Sequence, residues 1–174
     1  MKLSFTLNGK PVRVETAPDR RAVDLLREDL RVLDPKEGCG TGECGACSVL
    51  VDGVHRLSCL MLAAQLAGRE VTTAAGLGTP ERPHPIQRAF AEHGAVQCGY
   101  CTPGMVVAAS ALLSQNQDPD RDAVRRALSG NLCRCTGYVK IVDAVQAAAR
   151  ELGDGIPVEA ARIDNAGIGE EDAP

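Results

Sequence analysis

The residues in this chain best suited to chemistry are cysteines. Cys39, Cys44 and Cys47 follow the spacing C-x4-C-x2-C, and Cys59 supplies a fourth sulfur a short distance later. That is the plant-type spacing for thiolates that hold a 2Fe–2S cluster. The residues between them fit that use. A loop wrapped around a cluster must turn backbone N–H groups inward, toward sulfides and thiolates that carry negative charge. Such turns need positive φ and close backbone approach, which Gly38, Gly40, Gly42 and Gly45 allow. Four cysteines alone could be structural; threaded through four glycines, they read as a cluster loop. Crowding at Gly45 is expected to damage that cluster selectively.

A second set lies in Gln97-Cys-Gly-Tyr-Cys-Thr-Pro-Gly104 and Asn131-Leu-Cys-Arg-Cys-Thr-Gly-Tyr138. Cys98 and Cys101 precede one expected helix, and Cys133 and Cys135 precede another. Side by side, the two helix N-termini would gather four thiolates where unpaired N–H groups stabilise negative charge. A structural zinc with four cysteine ligands is the competing reading, since zinc also accepts a C-x2-C pair. Residue spacing leaves both open. Disulfides fit less well, because the chain shows no export signal and its cysteines come in close pairs.

The elements that must position these residues fall into two halves. Lys2–Leu7 and Val12–Glu15 alternate around Asn8-Gly9, a hairpin signal. Asp19 is placed to cap a helix over Ala22–Leu30, with Leu25, Leu26 and Leu30 on its apolar face. After the cysteine loop, Cys47–Val51 and Val54–Ser58 straddle Asp52-Gly53, a second hairpin. Leu60–Ala67 predicts a short helical turn, and Glu70–Thr73 a last strand. Gly76–Pro85, with three prolines, reads as a linker. Beyond it the periodicity predicts helices over Ile86–His93, Pro103–Gln115, Asp120–Leu128 and Val139–Leu152. Thr102 is expected to cap the second of these, with Pro103 at its first position. The fold class is therefore α+β: a β-grasp, ferredoxin-like domain over 1–78, then a four-helix bundle-like domain over 79–152. An acidic tail follows over 153–174.

Composition narrows the function. Apolar residues make up 44% of the chain but aromatics only 2%, so packing must rest on Leu, Val, Ala and Ile, helped by embedded clusters. A net charge of −4 argues against general binding to nucleic acid or anionic membranes. No stretch approaches a transmembrane span, and the N-terminal apolar run is too short for a signal peptide. A cytoplasmic protein is expected.

Taken together, Gly-Cys-Gly-x-Gly-Glu-Cys-Gly-Ala-Cys, Gln-Cys-Gly-Tyr-Cys-Thr-Pro-Gly-Met and Gly-Asn-Leu-Cys-Arg-Cys-Thr-Gly-Tyr resemble the small iron–sulfur subunit of the molybdenum hydroxylases. That family includes the xanthine dehydrogenases, aldehyde oxidoreductases and carbon monoxide dehydrogenases. The resemblance covers about residues 1–152 and matches all eight cysteines in order. It implies two 2Fe–2S clusters, one on Cys39, Cys44, Cys47 and Cys59, the other on Cys98, Cys101, Cys133 and Cys135. It further implies a large partner subunit with a molybdopterin-type molybdenum cofactor and a medium partner subunit with FAD, assembled as a dimer of heterotrimers. Gln97 and Cys135 match positions that contact the pterin; Gln97 could instead bond its own turn.

The function implied is electron transfer from molybdenum through the two clusters to FAD, with no substrate chemistry in this chain. Two alternatives stand beside it: a free, diffusing two-cluster carrier, and a binding module with one cluster and one structural zinc. Other candidates carry less. His55, His84 and His93 do not pair with cysteines as a Rieske site requires. Ser48 and Ser58 show no nucleophile arrangement. Arg134, between two ligands, could donate to the cluster or its partner or form a surface ion pair. Tyr100 and Tyr138 are expected to pack beside the second cluster.

Overall fold

In a computed structural model of the chain, residues 1–153 are described. The acidic tail expected over 153–174 lies, beyond Gly153, outside them.

The first half is built on a mixed five-stranded sheet: β1 (Lys2–Leu7), β2 (Lys10–Glu15), β3 (Ser48–Val51), β4 (Val54–Leu57) and β5 (Glu70–Thr72), in the order β2-β1-β5-β3-β4. β1 and β5 run parallel, and the other neighbours are antiparallel. Both hairpins turn as their sequences demand. Asn8 and Gly9 take φ of 51° and 78°, and Asp52 and Gly53 take 51° and 77°. Two successive positive φ values match the right-handed twist of the flanking strands.

A short helix, α1 (Ala22–Asp24), continues as a π-helical turn over Leu25–Asp29 and packs Leu25 and Leu26 against the sheet. Asp19 does not cap it. Arg21 occupies the N-cap and makes no side-chain cap bond. The guanidinium instead grips Asp24 through two 2.7 Å bonds, so the helix start is held by an ion pair.

The stretch expected to be a linker is packed. Leu77, Gly78 and His84 are buried, and Thr79 and Arg82 exchange backbone bonds of 3.1 Å. The Asn8 side chain accepts from the Thr73 N–H at 2.8 Å, tying the first hairpin to this segment.

Four helices follow: α2 (Pro85–Glu92), α3 (Thr102–Gln115), α4 (Arg121–Ala127) and α5 (Val139–Gly153). Thr102 is the first helical residue rather than the cap, since Cys101 takes the N-cap position. Asp120 caps α4, accepting from the Ala123 N–H at 2.6 Å. α5 lies against α2 and α4, joined by the ion pairs Arg88–Glu151 and Arg121–Asp143. α3 packs on α2, α4 and also β3. Its unbroken apolar run, buried from Gly104 to Ala109, leaves no polar face for solvent. The helices therefore do not form a separate layer: β3's Leu50 packs into the helical core. Each half's core holds one of the two phenylalanines, Phe5 or Phe90. The rest is aliphatic, as the composition requires. Among the described residues no helix is long and apolar enough to cross a membrane.

Candidate iron–sulfur centres

The first cysteine loop runs off the end of α1 and returns into β3. Positive φ at Gly40, Gly42 and Gly45 turns its backbone around Cys39, whose sulfur accepts N–H bonds from Thr41 at 3.4 Å and Glu43 at 3.3 Å. Bonds from Thr41 and Cys44 hold the Cys39 thiol down to about 6, so it is readily a thiolate. Cys47 and Cys59 are buried with Val23 beneath the loop. Burial, and then Cys47 beside it, push Cys59 up to about 11. A buried thiol of that kind keeps its proton in the metal-free chain, and a bound metal would displace that proton to solvent. Arg21 reaches Glu37 Oε1 at 2.6 Å and so ties α1 to the start of the loop.

The second set draws on two distant segments, the turn before α3 and the turn before α5. The Cys98 and Cys135 sulfurs lie 3.5 Å apart, and both residues are exposed. Cys101 and Cys133 form a deeper pair. Burial, then Cys133, raise Cys101 to about 12. Burial pushes Cys133 upward too, but the Thr136 hydroxyl at 3.0 Å and its N–H at 3.4 Å bring it down to about 7. The Tyr138 hydroxyl accepts from the Cys133 N–H at 2.7 Å, which ties down the backbone of a candidate ligand.

The two sets meet directly. The Leu132 N–H donates to the Cys44 carbonyl at 2.9 Å, and Asn131 Nδ2 donates to the Gly45 carbonyl at 3.0 Å. The Tyr100 hydroxyl adds a 2.6 Å bond to the Glu37 carbonyl. Tyr100 is thus a link across the molecule as well as a neighbour of the second set. Gly45 also belongs to both loops, since a Cβ there would lie 2.5 Å from the Gly130 carbonyl oxygen and 2.4 Å from Asn131 Nδ2. The expectation that crowding at Gly45 harms one cluster alone does not fit this contact.

Gln97 is exposed beside Cys98, and its side chain bonds no other described residue. Arg134 is exposed and makes no ion pair among the described residues. His55 bonds Ser48 Oγ at 2.8 Å, and His84 accepts from the Ile86 N–H at 3.2 Å, so both serve local structure.

Among the described residues no three His, Cys, Asp or Glu side chains converge as a single metal ion would require. The thiols approach two by two: Cys39 with Cys44, Cys47 with Cys59, Cys98 with Cys135, and Cys101 with Cys133. Pairs of thiolates suit a group with two irons, each taking two sulfur ligands from the protein.

Both sets have counterparts in known protein families. Residues 5–73 match the family model of a 2Fe-2S iron-sulfur cluster binding domain, and residues 73–146 that of a 2Fe-2S binding domain. The chain is 48% identical over 152 residues to the small FeS subunit of nicotinate dehydrogenase from Eubacterium barkeri, covering 87% of this chain and 97% of that one. It belongs to the small iron–sulfur subunits of the molybdenum hydroxylases. Among solved structures, quinoline 2-oxidoreductase from Pseudomonas putida 86 has a chain that matches with a TM-score of 0.85 and 43% identity, over 89% of this chain and 97% of that one. The aldehyde oxidoreductase of Desulfovibrio desulfuricans matches with a TM-score of 0.86 and 41% identity. There the match covers 94% of this chain but only 18% of a much longer one.

Sequence reasoning missed Arg21, Asn131 and the cross-links of Tyr100. Asn131 bonds a residue 86 positions away, a separation over which spacing carries no signal.

Proposed function

We propose that this chain is the electron-transfer component of a molybdenum hydroxylase. A molybdopterin-type molybdenum centre lies upstream in its large partner, and FAD lies downstream in its medium one. When bound, 2Fe–2S clusters supply one-electron acceptance and release. Cys39, Cys44, Cys47 and Cys59 hold one, and Cys98, Cys101, Cys133 and Cys135 hold the other. In this reading residues 1–78 form a β-grasp domain and 79–152 a bundle-like helical domain. A dimer of heterotrimers and a cytoplasmic location belong to the same proposal.

The observation that carries it is the contact between the two cysteine loops. Leu132, next to Cys133, donates directly to the carbonyl of Cys44. One hydrogen bond therefore joins a residue of the first candidate ligand set to the immediate neighbour of a residue in the second. Each set also has an outward side: Cys39 in the first, Cys98 and Cys135 in the second. Gln97, exposed and bonded to no described residue, is free to meet a pterin edge beside Cys135 with its amide donor and acceptor. Val96, Tyr100, Leu132 and Val139 are exposed around the second set in sequence, which favours docking on a partner over free diffusion. Substrate choice then lies with the large partner. The relatives named for nicotinate, quinoline and aldehyde chemistry all match this one small chain.

Iron, acid-labile sulfide and zinc assays test the reading. About four irons and four sulfides per chain are expected from eight thiolates at four per cluster. Two irons with one zinc would overturn it in favour of the mixed-metal module.

A further inference from the structure

We propose that Asn131 is the positioning residue that fixes the two cysteine loops relative to each other, and thereby sets how fast an electron passes between them. This rests on the electron-transfer reading above. In that step one electron leaves the reduced centre of one loop and enters the oxidised centre of the other, and no bond forms or breaks.

Asn131 is only 2% exposed and lies where three segments meet. Its amide donates to the Gly45 carbonyl at 3.0 Å and to Ser48 Oγ at 3.3 Å. Ser48 Oγ in turn donates to the same Gly45 carbonyl at 2.7 Å and faces His55 Nε2 at 2.8 Å. A carbonyl oxygen can only accept, so the amide nitrogen must face Gly45 and the side chain cannot be reversed.

The neighbouring residues extend this into a two-point contact. Asn131 bonds Gly45, and Leu132 bonds Cys44. Two bonds between successive residues fix orientation as well as distance, which one bond cannot do. Space around the contact is already used. A Cβ on Gly104, at the start of α3, would lie 2.3 Å from the Gly45 oxygen and 3.3 Å from Asn131 Nδ2.

The chemistry points to Asn in particular. Among the described residues Asn131 Oδ1 is buried without a hydrogen-bond partner, an unfavourable arrangement that an apolar residue would avoid. What Asn supplies is two N–H donors at short reach. Asp has none, Ala and Ser are too short, and Gln carries one methylene more than the packed site admits.

The test uses the intact complex, with Asn131→Ala, Ser48→Ala and, as a control that loosens packing elsewhere, Val124→Ala in the core of α4. Iron content, thermal midpoint, the magnetic splitting between the two dithionite-reduced clusters and the flash-initiated transfer rate between them are measured. Asn131→Ala should keep its iron, change the splitting and measurably slow transfer between the two clusters. Ser48→Ala should move both readouts the same way by less. Val124→Ala should lower the thermal midpoint and leave both unchanged. If Asn131→Ala behaves like Val124→Ala, the residue is merely structural and the proposal fails. Should Asn131→Ala not assemble, wild-type splitting in Ser48→Ala overturns it. Wild-type chain with only about two irons sinks the two-cluster reading first, which separates that failure from this one.

Discussion

The two cysteine sets solve one problem by different means. The first is local: its four sulfurs lie within one stretch of chain from the loop after α1 to the turn just after β4, and backbone conformation does most of the work. Glycines at positive φ turn N–H groups onto Cys39, and Cys47 and Cys59 sit under the loop. The second is assembled from segments before α3 and before α5, so helix packing must bring its halves together. Its inner pair is shielded by the helical core, while Cys98 and Cys135 face outward. A local site can be read from spacing. An assembled one depends on tertiary structure and leaves its edge open for a partner.

The largest expected effect comes where that contrast breaks down, at Gly45. Its φ of +68° already strains any L residue, and a Cβ would meet the Gly130 carbonyl at 2.5 Å, a backbone atom that cannot swing aside. Gly45→Val should cost about 3 kcal/mol or more from overpacking and the left-handed backbone together. Iron should fall to about half or below, and the inter-cluster splitting should vanish. A variant that loses the first cluster while keeping a wild-type thermal midpoint would show that the loops are independent after all.

Next in size are the deletions of two proposed ligands, Cys47 and Cys98. Cys47 is buried in a small cluster with Cys59 and Val23, whereas Cys98 is exposed. Each change should remove one cluster signal from the paramagnetic resonance spectrum. Cys47→Ala should also lower the thermal midpoint more than Cys98→Ala, because Cys47 is buried and Cys98 is exposed. Equal losses would mean that both halves lean on their clusters alike.

Much of this contrast is legible in the sequence. Strand β1 and both hairpins follow from alternation and from Asn-Gly and Asp-Gly pairs, because those signals act within a few residues. The first cysteine loop is legible for the same reason. The second is not separable from a zinc site by spacing, and family resemblance is needed to choose. Other misses share a cause. Asp19 and Thr102 have the residue types of caps, but Arg21's ion pair and the placement of Cys101 fix those helix starts. The proline-rich segment has the composition of a free linker, yet Leu77 and Gly78 are buried because α3 lies across the sheet and pulls the halves together. Local pattern cannot report a contact made by a distant helix.

His84 offers a test in the packed segment between the two sets. It caps α2, and burial holds it at about 4, below the ordinary value of 6.5. The unfolded chain therefore takes up its proton first as the pH falls. Stability present above about pH 6.5 should be lost progressively toward pH 4 and no further below it, by at most about 3 kcal/mol. His84→Asn keeps a cap and removes the titration. Urea unfolding across this window should show the wild type losing stability relative to the variant. Parallel curves would mean that acid acts through the cluster loops instead.

The smallest effect expected is at Gln97, and it sharpens the comparison most. If the exposed edge of the second set faces molybdenum and the first set faces flavin, Gln97→Ala should act at one end only. The side chain ligates nothing and bonds no described residue, so iron content and the first cluster's spectrum should stay as they are. Losing one hydrogen-bonding contact to the pterin would cost about 0.5–1.5 kcal/mol. That should appear as slower reduction of both clusters by substrate, while reduction from the flavin side remains near normal. Stopped-flow reduction from each end, with the clusters told apart by paramagnetic resonance, makes the distinction. Slowing confined to the flavin side would reverse the assignment of the two edges, because a contact at Gln97 could then belong only to the partner that carries flavin.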